Sequence, residues 1–277
     1  MGKIEDVILS KDKRTISNLR RYCTPNYVTD AATFILEHPG PMFVCTGFYV
    51  IYNGLPEVDG PPGGFAVGRA MQELGHQVYY ITDKLCHNLF TKEETRAKVI
   101  DFPITGKEES KQEAQRLLAE FEPAILFAIE RPGLTVGGQY RNGAGLDISK
   151  WTARLDELFF LHSATVAVGD GGNELGMGGL YEAILRIPTL VPFPTTTAAN
   201  KEIVASVSNW GGYGLATALS QLTGKDLLPN EKEEADLITW MAIDQEAAGG
   251  PEPGTAGCDR FTVEENIDIL RQLRKLI

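Results

Sequence analysis

The chain has 277 residues, a formal net charge of −11, 43% hydrophobic residues and 23% charged residues. That length can bury a sizeable core, and the acidic balance argues against nucleic acid or an anionic membrane as partner. Cys23, Cys45, Cys86 and Cys258 lack the paired spacing of a zinc site, so a reduced, cytoplasmic protein is expected. No apolar run approaches the roughly 20 residues of a membrane span. The N-terminal residues read as neither a signal nor a transit peptide.

In chain order, residues 1–40 read as an amphipathic helical lead-in that ends at His38-Pro39-Gly40-Pro41. A first strand is predicted over 42–46, followed by a long loop that carries Asn53, Glu57 and Asp59 into a Gly60-Pro61-Pro62-Gly63 turn. A helix over 65–74 stops at Gly75, where glycine suits a C-terminal cap. The strand over 77–83 ends at Asp83, either a ribose holder in a βαβ unit or a helix N-cap. Residues 84–96 read as a helix, and Pro103 marks 99–104 as an edge strand. A charged helix over 108–121 leads to an apolar strand that ends on Glu130 and Arg131.

The next loop holds Tyr140, Arg141 and Asn142, and a helix is predicted over 151–163. The apolar run 164–168 reads as a buried strand. It opens into Gly169-Asp170-Gly171-Gly172-Asn173-Glu174, ahead of a helix over 180–186. Glycines let the backbone approach a ligand closely, but two carboxylates in the same loop would repel a phosphate. The spacing also departs from the phosphate-loop and dinucleotide fingerprints. A strand over 203–207 leads through Ser208-Asn209-Trp210-Gly211-Gly212-Tyr213 into a helix ending near Leu222. Helices follow over 231–248 and from Thr262 onward, where Thr262 and Glu265 have capping-box spacing.

Alternating strands and helices predict an α/β fold: a mainly parallel, doubly wound, Rossmann-like sheet with helices on both faces. One domain over 1–277 is expected, with the sheet core in 41–222 and helices in 223–277. All parallel strands end on one edge of such a sheet, where ligands bind. The unusual polar residues fall at that edge: Asn53, Asp59, Asp83, Glu130, Arg131, Asp170 to Glu174, and Asn209. Their convergence predicts an active site. Rival readings are a non-catalytic ligand-binding domain and a nucleotide-dependent enzyme with Asp83 on a ribose.

The strings Glu57-Val58-Asp59-Gly60-Pro61-Pro62-Gly63, Ala128-Ile129-Glu130-Arg131, 168–177 and Val207-Ser208-Asn209-Trp210-Gly211-Gly212-Tyr213 resemble the C-terminal domain of the D-glutamate cyclase family. The resemblance implies a hydro-lyase that closes D-glutamate, or a closely related amino acid, to 5-oxo-D-proline with loss of water. Longer cyclases carry an additional N-terminal region related to hydro-lyases. The 277 residues are expected to leave that region out, so a partner hydro-lyase domain is an expected associate, with a homo-oligomer as the alternative. In that chemistry a carboxylate base, Glu174 or Asp170, frees the substrate amine. Arg131, the amides of 169–172 or a metal neutralises the side-chain carboxylate. Asp59, Glu130, Asp170 and Glu174 offer the oxygen ligands that Mg²⁺ or Mn²⁺ takes. Arg141, Asn142 and Asn209 are expected to grip the α-carboxylate. Asn53, Tyr140, Gly171, Gly172, Asn173 and Trp210 complete the expected substrate-binding set.

Overall fold

The computed structural model describes residues 3–277, the side chain of Thr95 excepted. Its frame is a six-stranded parallel sheet: β1 (Met42–Thr46), β2 (Val78–Thr82), β3 (Lys98–Asp101), β4 (Ile125–Ile129), β5 (Thr165–Gly169) and β6 (Lys201–Val204). The spatial order is β3-β2-β1-β4-β5-β6, the doubly wound order expected of a Rossmann-like α/β fold. β1, β2, β4 and β5 are buried along their whole length because both faces of the sheet are covered, which is why they read as unbroken apolar runs. β3 lies at an edge, as Pro103 foretold.

The pleat sends alternate residues to two cores. Met42, Val44, Phe127, Val166 and Val168 face one layer, built from α1 (Lys3–Ile8), α2 (Tyr27–Leu36), α3 (Pro61–Glu73), α7 (Ser208–Thr223), α8 (Glu231–Ile243) and α9 (Val263–Arg274). Phe43, Cys45, Leu126 and Ala128 face the other, under α4 (Lys107–Phe121) and α5 (Asp156–Leu161). A short helix α6 (Tyr181–Leu185) follows β5. The lead-in does pack on the body: α1 and α2 both lie on α7.

Several element boundaries differ from the sequence reading, each for a tertiary reason. Residues 84–96 form two 3₁₀ turns, His87–Phe90 and Glu93–Thr95, because Asp83 Oδ1 accepts the Leu85 amide and closes a turn where a helix was expected. The helix expected over 151–163 begins only at Asp156, where the Ala153 carbonyl accepts Arg131 and the Leu155 amide in a tight turn in place of a helical partner. α8 stops at Ile243, five residues early, because Ala248 leaves to exchange backbone bonds with Pro56 and Val58. β6 runs over Lys201–Val204 instead of 203–207. The capping box of α9 is formed as its spacing foretold.

α3 and α7 both start earlier than their glycine-rich sequences suggest, at Pro61 and Ser208. Each helix supplies the other's cap. Asp59, just before α3, accepts the amides of Ser208 (3.1 Å) and Asn209 (2.8 Å). Asn209 Oδ1 in turn accepts the amides of Gly60 (3.0 Å) and Gly63 (2.8 Å). This exchange satisfies first-turn donors that would otherwise be orphaned in the core. The helix starts also touch backbone to backbone: a Cβ on Gly212 would lie 2.7 Å from the Gly63 Cα. The two odd strings therefore have a packing meaning as complementary halves of one helix contact.

Candidate active site and metal centre

The carboxyl ends of β1, β4 and β5, with the start of α7, meet beneath the loop that follows β1. Gly60 makes the approach feasible. Its φ is 103°, and a Cβ there would lie 2.8 Å from the Glu130 Cβ. Glu130 itself holds a left-handed backbone (φ 42°), uncommon for a residue other than glycine. Its Oε2 accepts a hydrogen bond from Ser208 Oγ at 2.6 Å.

Asp59, Glu130 and Asp170 are all buried, and one carboxylate oxygen from each lies within 4.8 Å of the others. Three hard oxygen donors so placed could hold a metal ion. Burial and mutual repulsion push their pKa values up. Asp59 rises to about 6, driven first by burial and then by Asp259. Glu130 and Asp170 are pushed well above the usual carboxylate range, again chiefly by burial.

Arg14 is the counter-ion. It donates to Asp170 Oδ2 at 2.9 Å and to Asp259 Oδ2 at 2.6 Å, and its second amino nitrogen also reaches Asp259. Its loop is pinned by Asp12, whose carboxylate accepts the amides of Arg14, Ile16 and Ser17. Sequence reasoning missed Arg14 and Asp259. Arg14 sits in the stretch read as an amphipathic helical lead-in, and Asp259 in a C-terminal loop with no strand exit to mark it.

Glu174 lines the cleft but lies outside the triad. Its two oxygens accept the amides of Gly171 (2.9 Å) and Gly172 (2.6 Å), clasping its own loop, and burial still raises its pKa. Those amides are thereby occupied. Glu57, quoted in the sequence but given no role, borders the cleft with no hydrogen bond to its carboxylate among the described residues. Burial, then Asp59, hold its pKa well above the ordinary value.

The cleft has a volume of about 360 Å³. Its floor is acidic and polar, and Phe48, Ile51, Tyr52, Leu190 and Val191 form apolar walls. Asn142, Gly171 and Asn173 line it too, whereas Asn53 borders an adjoining hollow. Other expected site residues serve elsewhere. Arg131 is buried in an ion pair with Asp83 at 2.6 Å and also donates to the carbonyls of Gly47 and Ala153, so it staples three loops and does not line the cleft. The same pair occupies the Asp83 carboxylate, which the nucleotide reading assigned to a ribose. Tyr140 donates to Asp156, and Arg141 is held by Gly145 and Gln139. Asn209 caps α3, and Trp210 donates to Asn266 from the core.

Among the described residues no helix is long and apolar enough to cross a membrane. In fold comparisons, MurG of Acinetobacter baumannii shares 12% identity at a TM-score of 0.34, covering 61% of this chain and 46% of its own. A short-chain dehydrogenase from Streptomyces avermitilis shares 14% at 0.29, covering 87% and 81%. Neither likeness is close enough to bear on the site. Human "D-glutamate cyclase, mitochondrial" is 35% identical over 208 residues, 68% of this chain. The match spans 34% of the human protein, so the chain corresponds to about a third of that relative. The family described as "D-glutamate cyclase-like, C-terminal" matches residues 4–274. With nearly the whole length matched, the chain belongs to the D-glutamate cyclase-like family, corresponding to its C-terminal part.

Proposed function

We propose that this chain binds D-glutamate in the cleft and closes it to 5-oxo-D-proline with loss of water, acting with Mg²⁺ or Mn²⁺ on Asp59, Glu130 and Asp170. The observation that carries the reading is the meeting of these three buried carboxylates, from three distant segments, within 4.8 Å. The cleft lining counts four carboxylates (Glu57, Glu130, Asp170 and Glu174) against one guanidinium, Arg14. A substrate with two carboxylates of its own enters such a site only when a divalent cation offsets the repulsion.

When bound, the cation supplies Lewis-acid polarisation of the substrate's side-chain carboxyl group. The remaining work falls to the chain. Glu57, raised in pKa and unencumbered, takes the proton from the substrate ammonium and so frees the amine for attack. Arg14, Asn142 and Asn173 face the α-carboxylate. Ile51, Leu190 and Val191 shed water and keep the substrate curled, and well-oriented intramolecular attack is worth about 7–11 kcal/mol.

Purified protein with D-glutamate should form 5-oxoproline only when Mg²⁺ or Mn²⁺ is present. Glu57→Gln should lose turnover yet keep the cation-induced rise in melting temperature. Absence of any cation-dependent stabilisation would refute the metal assignment. A second reading is a non-catalytic amino-acid-binding domain that serves a separate hydro-lyase domain. It is favoured by the match to only 34% of the human protein. Tight D-glutamate binding without product would select it.

A further inference from the structure

The acidic triad lies where two hollows meet. The cleft described above reaches Glu130 and Asp170, while a second hollow of about 730 Å³ reaches Asp59 from the other side. Arg14, Val50, Tyr52 and Glu57 border both. Each hollow has the size of a small-molecule site by itself, so a five-carbon diacid occupies one and leaves the other open.

The second hollow differs in charge from the first. Lys13 and Arg260 stand on its rim. The Arg260 guanidinium has no partner among the described residues. Lys13 donates to the Arg260 carbonyl at 3.2 Å and lies 3.3 Å from the centre of the Phe261 ring, which leaves ammonium hydrogens to spare. Of the four acids there, Asp259 is held by Arg14, Asp59 belongs to the triad and Glu57 is shared with the first hollow, which leaves Glu252 facing Lys13 and Arg260. In a chain of net charge −11, two cations without a carboxylate partner over a hollow that opens onto the reacting centre suit an anionic group.

We propose that the substrate is a γ-glutamyl amino acid: its glutamyl part sits in the first hollow, and its appended, carboxylate-ended residue sits in the second against Lys13 and Arg260. The inference rests on the cyclisation reading and replaces the free carboxyl group with an amide. The substrate's α-amine attacks the side-chain carbonyl carbon. A C–N bond forms and the C–N bond to the appended residue breaks; of the three ammonium protons one stays on the lactam nitrogen and two pass to the departing nitrogen, which leaves as an ammonium group. The products are 5-oxoproline and a free amino acid, with no further reactant consumed.

The test compares γ-D-glutamylglycine with D-glutamate by calorimetric titration in Mn²⁺, using the full chain and the Lys13→Ala/Arg260→Ala double variant. The dipeptide should bind roughly tenfold or more tightly than D-glutamate, through charge-assisted contacts in the second hollow. The double variant should lose that advantage with D-glutamate affinity unmoved, and Arg260→Lys should keep most of it. Unliganded melting curves confirm that the variants fold. Equal affinity for the two ligands, or an advantage that survives the double variant, overturns the proposal. If the dipeptide binds as expected while D-glutamate does not, the inference stands and cyclisation of free D-glutamate falls.

Discussion

Glu130→Gln separates the cost of the acidic centre from its use. The glutamine keeps an acceptor for Ser208 Oγ and removes one of three charges whose oxygens lie within 4.8 Å. At that spacing and an effective dielectric constant of about 20, each carboxylate pair repels by about 3.5 kcal/mol, and Arg14 offsets part of it. The net gain expected without metal is about 2–4 kcal/mol near pH 8, or roughly 5–10 °C in melting temperature. The pH dependence fixes the sign. A carboxyl group whose folded pKa is raised contributes stability that is fully present below its unfolded value of about 4 and lost as pH rises through the folded value. Asp59 places that loss near about 6, and Glu130 and Asp170 extend it upward. Glu130→Gln should therefore match the parent near pH 4 and exceed it progressively above about pH 5. Adding Mn²⁺ should stabilise the parent by about 3 kcal/mol at one hundred times its dissociation constant, and the variant by far less. Urea titrations of both proteins across this pH range, with and without Mn²⁺, make the measurement. A variant no more stable than its parent near pH 8, or equally stabilised by Mn²⁺, refutes the reasoning.

Three further outcomes follow from the fold. Asn209→Ala strips the cap from α3, leaving the Gly63 amide buried without a partner and the Gly60 amide with Asp59 alone, so urea unfolding should show a loss of about 1–3 kcal/mol. Gly212→Ala drives a Cβ to 2.7 Å from the Gly63 backbone and should cost about 1–3 kcal/mol, whereas Gly143→Ala, with nothing within 4 Å, should be nearly neutral by the same assay. Arg131→Met leaves Asp83 buried and unpaired, and thermal melts should show a loss of about 3–5 kcal/mol near neutral pH.

Apolar runs bounded by turn residues were enough to locate the strands, because a sheet covered on both faces needs uninterrupted hydrophobic sequence. The parallel α/β architecture then followed, and with it the edge on which Asp59, Glu130 and Asp170 meet. Side-chain direction was another matter. Glu130 and Arg131 are neighbours in sequence, yet the left-handed backbone at Glu130 accompanies a split in which one carboxylate faces the cleft and the guanidinium turns to Asp83. Ser208-Asn209-Trp210-Gly211-Gly212 looked like a ligand loop, and only the position of α3 revealed it as the start of a helix whose cap lies about 150 residues away in sequence. Arg14 and Asp259 carry no local signal at all, since an ion pair joining a lead-in to a C-terminal loop exists only once the chain has brought them together. Local pattern determined which segments form the frame, because burial acts on every residue of an element. Tertiary contact decided which polar groups are committed to capping and stapling and which remain to meet a ligand.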